Sequence, residues 1–250
     1  MAEKKDGKLV IFSGPSCVGK SPLAKALARL YPGLHKKLQP LVLYNSRSAR
    51  PGETEGEDYY FRSREDIEAL REKDGFIVMD VRGDLQALDL QELSDSLERG
   101  DVLFEGNPFV GEVLLDNTAL DHVQKLSMFM SPLSQNEILF LKSGEASVSL
   151  PDLLTDVMRR KLLRRTRRQK GEISLPDLEN IEKRASSAYG ELQNAWKFGH
   201  VIPNHDGEDN ENWDAFYYPL GDARKALEAF VSLLRGDEAT GVEEWDQDLI

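Results

Sequence analysis

The 250-residue sequence predicts an α/β fold of three layers, a parallel sheet covered by helices on both faces, with a small added lobe and a helical lid. Two observations predict it. Short apolar runs bounded by glycine or proline alternate along the chain with stretches of helical periodicity. The first such run, KLVIFS at residues 8–13, leads through a glycine-bounded loop directly into an amphipathic segment. In a right-handed parallel sheet, ligands bind at the carboxyl ends of the strands.

The elements follow in order. Residues 8–13 read as a buried strand and 21–30 as a helix, with Leu23, Ala24, Leu27 and Leu30 at helical spacing and Tyr31-Pro32-Gly33 as its stop. A second strand is expected at 41–44, a polar loop at 47–59, an exposed helix around Ile67 and Leu70 at 63–73, and a strand at 76–81. A helix at 90–99 is ended by Gly100, and strands follow at 102–104 and 125–130. Helices are expected at 135–141 and 153–168, then one long helix at 178–198 with its repeat at Ile181, Ala185, Ala188, Leu192 and Trp196. A short strand at 201–202 and a closing helix at 223–234 complete the order. Residues 237–250 carry six acidic residues and no basic one, the pattern of a loosely ordered tail. The implied organisation is a core at 8–43, 101–149 and 177–235, a lobe at 44–100, a basic lid at 150–176 and the tail at 236–250.

Bulk properties narrow the function. The net charge of −12 disfavours long nucleic acid, whose backbone is repelled overall. Cys17 is the single cysteine, so no intrachain disulfide forms, and a reducing, cytoplasmic setting is expected. No apolar stretch reaches membrane-spanning length, and residues 1–8 lack the apolar run of a secretion signal. The four histidines, His35, His122, His200 and His205, show no metal-site spacing. A monomer or homodimer is expected.

The segment Gly14-Pro15-Ser16-Cys17-Val18-Gly19-Lys20-Ser21 fits G-x-x-x-x-G-K-[ST] at every fixed position, between a strand and a helix as that motif requires. Its glycines turn the backbone so that successive N–H groups face a phosphate, and the helix N-terminus adds partial positive charge. Lys20 then reaches the β- and γ-phosphates of a nucleoside triphosphate, and the Ser21 hydroxyl can ligate the accompanying Mg²⁺. Pro22 sits in the first helical turn, where its missing N–H does little harm. Cys17 lies at a helix N-terminus, which can lower a thiol pKa and permit redox control; the alternative is a small filler residue.

Beyond the second strand stand Ser46-Arg47-Ser48-Ala49-Arg50-Pro51-Gly52-Glu53 and then Asp58-Tyr59-Tyr60-Phe61. Two arginines three apart with a nearby tyrosine make either a compact anion site or a solvated polar loop. Taken with the phosphate loop, these segments resemble the guanylate kinase family. GPSCVGKS, SRSARPGE and DYYF are similar to its GPSGxGKS, T-x-R-x-x-R-x-G-E and D-Y-x-F, in the same order and at similar spacing. Ser131-Pro132-Leu133-Ser134, Glu182-Lys183-Arg184-Ala185 and Val201-Ile202-Pro203-Asn204 resemble further family segments, so that the likeness runs over about residues 8–234, with extra residues near 206–221.

The resemblance implies a nucleoside monophosphate kinase that uses ATP and Mg²⁺. Arg47, Arg50, Tyr59 and Glu53 would hold the acceptor monophosphate, with GMP as the default acceptor. Gly14, Ser16, Cys17, Val18, Gly19, Lys20, Ser21, Arg168 and Asn204 would hold ATP. Lys20, Arg47, Arg164 and Arg184 would serve the transfer itself. The family's base-reading positions are changed: Leu43, Val78, Gln86 and Leu88 stand where polar readers are expected, with Glu105 as a substitute acid. Asp80 lies two residues from Val78, on the same strand face, and is a second candidate carboxylate. The acceptor is therefore GMP or another small phosphorylated compound, or the chain is a related binding module without transfer.

The run RRKLLRRTRRQK at 159–170 has eight basic residues in twelve. Such runs serve as solvated faces or nucleic-acid patches. Placed before the helix of Arg184, where the family carries its lid, it reads as a source of arginines for the moving phosphoryl group.

Overall fold

A computed structural model describes residues 7–50 and 52–250; the polar arm read at the N-terminus and Pro51 lie outside the described residues. The strands are β1 (Leu9–Ser13), β2 (Gln39–Pro40), β3 (Leu43–Asn45), β4 (Tyr59–Phe61), β5 (Phe76–Val81), β6 (Asp84–Asp89), β7 (Val102–Gly106), β8 (Lys125–Ser131) and β9 (His200–Pro203). The helices are α1 (Lys20–Leu30), α2 (Pro32–His35), α3 (Arg64–Glu68), α4 (Leu90–Leu97), α5 (Pro108–Asp116), α6 (Gln135–Lys142), α7 (Leu150–Lys170), α8 (Leu175–Ser186), α9 (Ala188–Leu192) and α10 (Gly221–Arg235). One sheet has the order β2-β7-β1-β8-β9, with β2–β7 and β8–β9 parallel. The other has the order β4-β3-β6-β5, parallel between β3 and β4 and antiparallel elsewhere.

The chain divides into two compact units, one of residues 1–11, 37–105 and 109–126, the other of residues 12–36, 106–108 and 127–250. In the first unit the four-stranded sheet lays one face on α3. Ile67, Leu85 and Ala87 are buried there, with Tyr44, Leu70 and Val78 packed around them. Residues directly opposed across a ladder share a face, and neighbours along a strand alternate. The pairings therefore put Tyr44, Val78, Asp80, Leu85 and Ala87 on the α3 face, and Leu43, Asn45, Tyr59, Phe61, Met79 and Gln86 on the opposite one.

In the second unit α10 buries Ala226, Leu227, Phe230 and Val231, and Phe230 stacks on Phe12 with ring centroids 4.7 Å apart. Helix α7 buries a stripe of Leu150, Leu154, Met158, Leu162 and Thr166, each turn of which faces inward at helical spacing. Helix starts are well capped. Ser134 and Ser174 form capping boxes with Glu137 and Asp177, and Ser149 caps α7.

The expected long helix at 178–198 is instead α8, α9 and a 3₁₀ turn at Ala195–Lys197. The break falls after Ser186 and Ser187, where the Ser187 hydroxyl donates back to the Arg184 carbonyl at 3.1 Å. The residue that closes the repeat inward is Ala195, while Trp196 is exposed. Strands β4 and β6 and helix α5 were not expected. The acidic end, expected to be loose, is packed. Trp245 and Leu249 are buried, and Glu243 exchanges both backbone hydrogen bonds with Val201 at 2.8 Å. Two large apolar side chains outweigh the repulsion of the acids, which remain at the surface or accept hydrogen bonds from Gln135 N–H and Trp245 Nε1.

Candidate active site

The phosphate loop leaves β1 at Ser13 and enters α1 at Lys20. Three of its residues have left-handed backbone: Gly14 (φ 152°), Cys17 (φ 68°) and Gly19 (φ 116°). At the glycines no side chain fits. A Cβ on Gly14 would lie 2.4 Å from the Met130 carbonyl oxygen, and one on Gly19 would lie 2.6 Å from Asn204 Nδ2. Asn204 fastens the loop from the end of β9 by donating to the Val18 carbonyl at 2.7 Å. Lys20 donates to the Gly14 and Pro15 carbonyls at 2.7 and 3.0 Å, so its ammonium lies folded against the loop. Arg184 arrives from α8 and donates through Nε to the Ser16 hydroxyl at 2.9 Å. The Cys17 thiol is fully buried, and burial pushes its pKa up to about 12. Of the two readings of Cys17, this favours the small filler residue over redox control: desolvation outweighs the helix terminus.

The basic helix and the extra segment at 206–221 meet over this loop. Gly207 lies so close that a Cβ would come within 2.5 Å of the Cys17 carbonyl oxygen, and the Glu208 N–H donates to the same oxygen at 3.3 Å. Arg165 pairs with Glu208 at 2.7 Å, Arg164 with Asp209 at 2.6 Å and Arg168 with Asp214 at 3.1 Å. Lys161 donates to the His205 carbonyl. Burial raises the Glu208 pKa, but Arg165, Lys20 and Arg184 more than cancel this and hold the carboxyl below its ordinary range.

The arginine of the run that faces the loop is thus Arg165, 15% exposed, whereas Arg164, chosen from the sequence, is 61% exposed. Adjacent residues on a helix point about 100° apart, and the buried stripe of α7 sets which one turns inward. Arg168 lines a cavity of about 410 Å³ beside α1, together with Ser21, Lys25, Arg29, Arg165 and Trp213. That volume lies within the range of small-ligand pockets.

The second group lies wholly in the other unit. Arg47 makes a two-pronged pair with Glu53 at 2.6 and 2.7 Å, and its guanidinium stands 5.1 and 5.6 Å over the rings of Tyr59 and Phe61. Glu53 also accepts from the Arg50 N–H at 2.7 Å. Burial raises the Glu53 carboxyl, but the hydrogen bonds from Arg47 and Arg50 bring it below its ordinary range. Glu53 thus orients the Arg47 guanidinium and ties down the backbone at Arg50. Burial raises the Tyr59 pKa, which keeps its hydroxyl a neutral donor; Glu105 is among the charges it senses. Gln86 is buried on this same face, paired across the ladder with Asn45.

Asp80 is not among these residues. It occupies the α3 face, 57% exposed, accepting from the Gly83 N–H at 2.7 Å. The alternation of the strand puts it with Val78, which packs against Ile67, so Asp80 lies on the face opposite Tyr59 and Gln86 and holds the β5–β6 turn. Asn45 was missed. It is 1% exposed, its Oδ1 accepts from the Arg47 N–H at 3.2 Å, and its Nδ2 has no partner among the described residues. A buried unpaired donor costs roughly 1–3 kcal/mol. An asparagine two residues before an arginine pair at a strand end was the available signal.

A strand, glycine loop and helix closing on a lysine and an inward arginine define a P-loop nucleotide-binding protein. The guanylate kinase family model matches residues 6–100. A guanylate kinase of Thermus thermophilus is 30% identical over 200 residues, covering 79% of this chain and 74% of the relative. One from Caldanaerobacter subterraneus subsp. tengcongensis is 27% identical over 207 residues, covering 82% and 84%. The crystal structure of the guanylate kinase from Anaplasma phagocytophilum shares the fold, with a TM-score of 0.53 at 19% identity over 93% of this chain and 87% of that one. The chain belongs to the guanylate kinase family.

Proposed function

We propose that the chain transfers the γ-phosphoryl group of ATP, held at Gly14–Ser21, to GMP or a closely related nucleoside monophosphate held at Arg47, Arg50 and Tyr59. The observation that carries this reading is the presence in one chain of both devices: a loop of inward-turned backbone capped by Lys20, and an arginine clamp preset by Glu53. Transfer by this class of site rests on positioning and charge stabilisation, with no covalent step on the protein. Lys20 would unfold from its carbonyl contacts onto the β- and γ-phosphates, and Arg184 and Arg165 would neutralise charge on the moving group. We assign acceptor binding to the lobe at 44–100 and lid action to the basic segment at 150–176.

Mg²⁺ suits the donor set. Ser21 offers one hard oxygen in the first turn of α1, and no cluster of metal-ligating side chains stands among the described residues, which matches an ion held mainly by phosphates and water. Bound there, Mg²⁺ would neutralise phosphate charge. No helix among the described residues is long and apolar enough to cross a membrane, in keeping with a cytoplasmic enzyme.

A second reading has support in Leu43 and Leu88, both buried where the family carries hydroxyl groups: an acceptor other than GMP. Coupled ADP release, measured with ATP and Mg²⁺ against GMP, dGMP, AMP, IMP, CMP, UMP and ribose phosphates, separates the two. GMP turnover that is abolished in Lys20→Ala and weakened in acceptor KM in Arg47→Ala is expected. Turnover with a different acceptor favours the second reading. ATP binding with no turnover on any of them sinks both, leaving a binding module.

A further inference from the structure

The acceptor lobe contains a polar group that its fold does not use. Asn45 ends β3 on the sheet face that also carries Tyr59, Phe61 and Gln86. Its amide is oriented by chemistry: only Oδ1 can accept the Arg47 N–H, so Nδ2 is the atom left without a partner among the described residues. Leu43, two residues earlier on the same face, is buried and needs no partner.

The position of the amide says which part of a ligand it meets. Asn45 is in register with Phe61, and the Arg47 guanidinium stands 5.6 Å over the Phe61 ring. The amide is thus tied through Oδ1 to the backbone of the clamp arginine and through the ladder to the ring on which that arginine rests. Farther from the clamp on this face the row is apolar, with Leu43 and the Ile77–Leu88 pair. A spare N–H donor beside a guanidinium suits an anionic oxygen, and the apolar row suits the nucleoside.

We propose that Asn45 is a specificity-determining residue of the acceptor site, whose Nδ2 donates to a phosphate oxygen of the acceptor once Arg47 exchanges Glu53 for that phosphate. A sealed donor that opens only with the clamp selects acceptors bearing a phosphate over the free nucleoside. This rests on the acceptor reading of the Arg47 clamp.

Two variants test it. Asn45→Leu removes the donor, and with it the Oδ1 acceptor, while keeping the branched outline of the side chain; Asn45→Asp keeps the Oδ1 contact and turns the donor into a like charge. Both are expected to raise the KM for GMP, about tenfold in Asn45→Leu and more in Asn45→Asp, with the KM for ATP unchanged. The ligand-free thermal midpoint of Asn45→Leu is expected to stay close to that of the parent, since removal of the buried unpaired donor offsets the loss of the Oδ1 acceptor of the Arg47 N–H. An unchanged KM for GMP in either folded variant, or a KM for ATP that rises in step with it, overturns the proposal. Should the parent chain turn over no acceptor, thermal shift decides separately. With ATP saturating the phosphate loop, added inorganic phosphate should further stabilise the parent and fail to further stabilise the variants. Loss of guanosine protection with phosphate protection intact would assign the amide to the base and overturn the phosphate assignment.

Discussion

Replacing Glu208 by Gln removes one charge from the centre of the network over the phosphate loop. Glu208 and Arg165 are each 15% exposed and 2.7 Å apart. Removing one partner of a buried pair costs about 3–5 kcal/mol, because the survivor stays desolvated and uncompensated. Residual water access and the amide oxygen that glutamine still offers Arg165 place the expected loss near ~3 kcal/mol, at the low end of that range. In a chain of this size each kcal/mol shifts the melting midpoint by roughly 2–4 °C, so a fall of about 6–12 °C is expected. Glu182→Gln is the comparator. It breaks an equally short pair with Arg159, but both side chains are more than a third exposed, and the expected loss is about 0–1 kcal/mol. The assay is differential scanning calorimetry of parent and both variants, without and with saturating ATP. ATP brings negative charge back to Arg165 and Lys20, so the gap between parent and Glu208→Gln should narrow with ATP. A fall under 2 °C in Glu208→Gln, or equal falls in the two variants, would refute the claim that this pair is buried in energetic terms.

Two further predictions follow from titratable groups. With its pKa pushed up to about 12 and no exposure, Cys17 should resist alkylation by iodoacetamide at pH 8 in the native state and react once the chain is unfolded in urea; rapid native labelling would contradict its burial. Half-burial lowers the His205 pKa, but hydrogen bonds to Asp222 at 2.6 Å and Glu137 at 3.0 Å more than offset this and raise it above the ordinary 6.5. Its contribution to stability is therefore full below pH 6.5 and is lost as the pH rises through the higher folded value. Urea midpoints of the parent should fall over that window, and His205→Ala should flatten the fall; an unchanged slope would show that the clamp is not titrating.

The phosphate loop was legible because its cause is local: the glycines, Lys20 and the flanking apolar residues lie within one short stretch. Strand β5 and helix α10 were legible for the same reason. What escaped depends on neighbours. Strand β4 is three residues long and exists by pairing with β3, and β6 mixes polar and apolar residues because each of its faces meets something different. Helix α5 begins at a proline and carries Gly111, two features that read as loop. The acceptor candidates were found as residue types, but their faces were not. Asp80 was paired with the wrong side because the sheet register, which puts Val78 opposite Ala87, is not written in either strand alone. Arg165 was within reach. The stripe Leu154, Met158, Leu162 and Thr166 carries the rotational phase of α7, and counting from it turns Arg165 inward and Arg164 out.

The pairing of Glu243 with Val201 has a consequence for life at high concentration. β9 is the last strand of its sheet, and a bare final strand is a template on which another chain can add. Here the N–H and C=O of Val201 are both taken by the chain's own acidic segment. Trp245 and Leu249 hold that segment down, and its carboxylates repel any second acidic chain that approaches along the edge. The C-terminal stretch thus covers the β9 edge at Val201, the position where an added strand would pair.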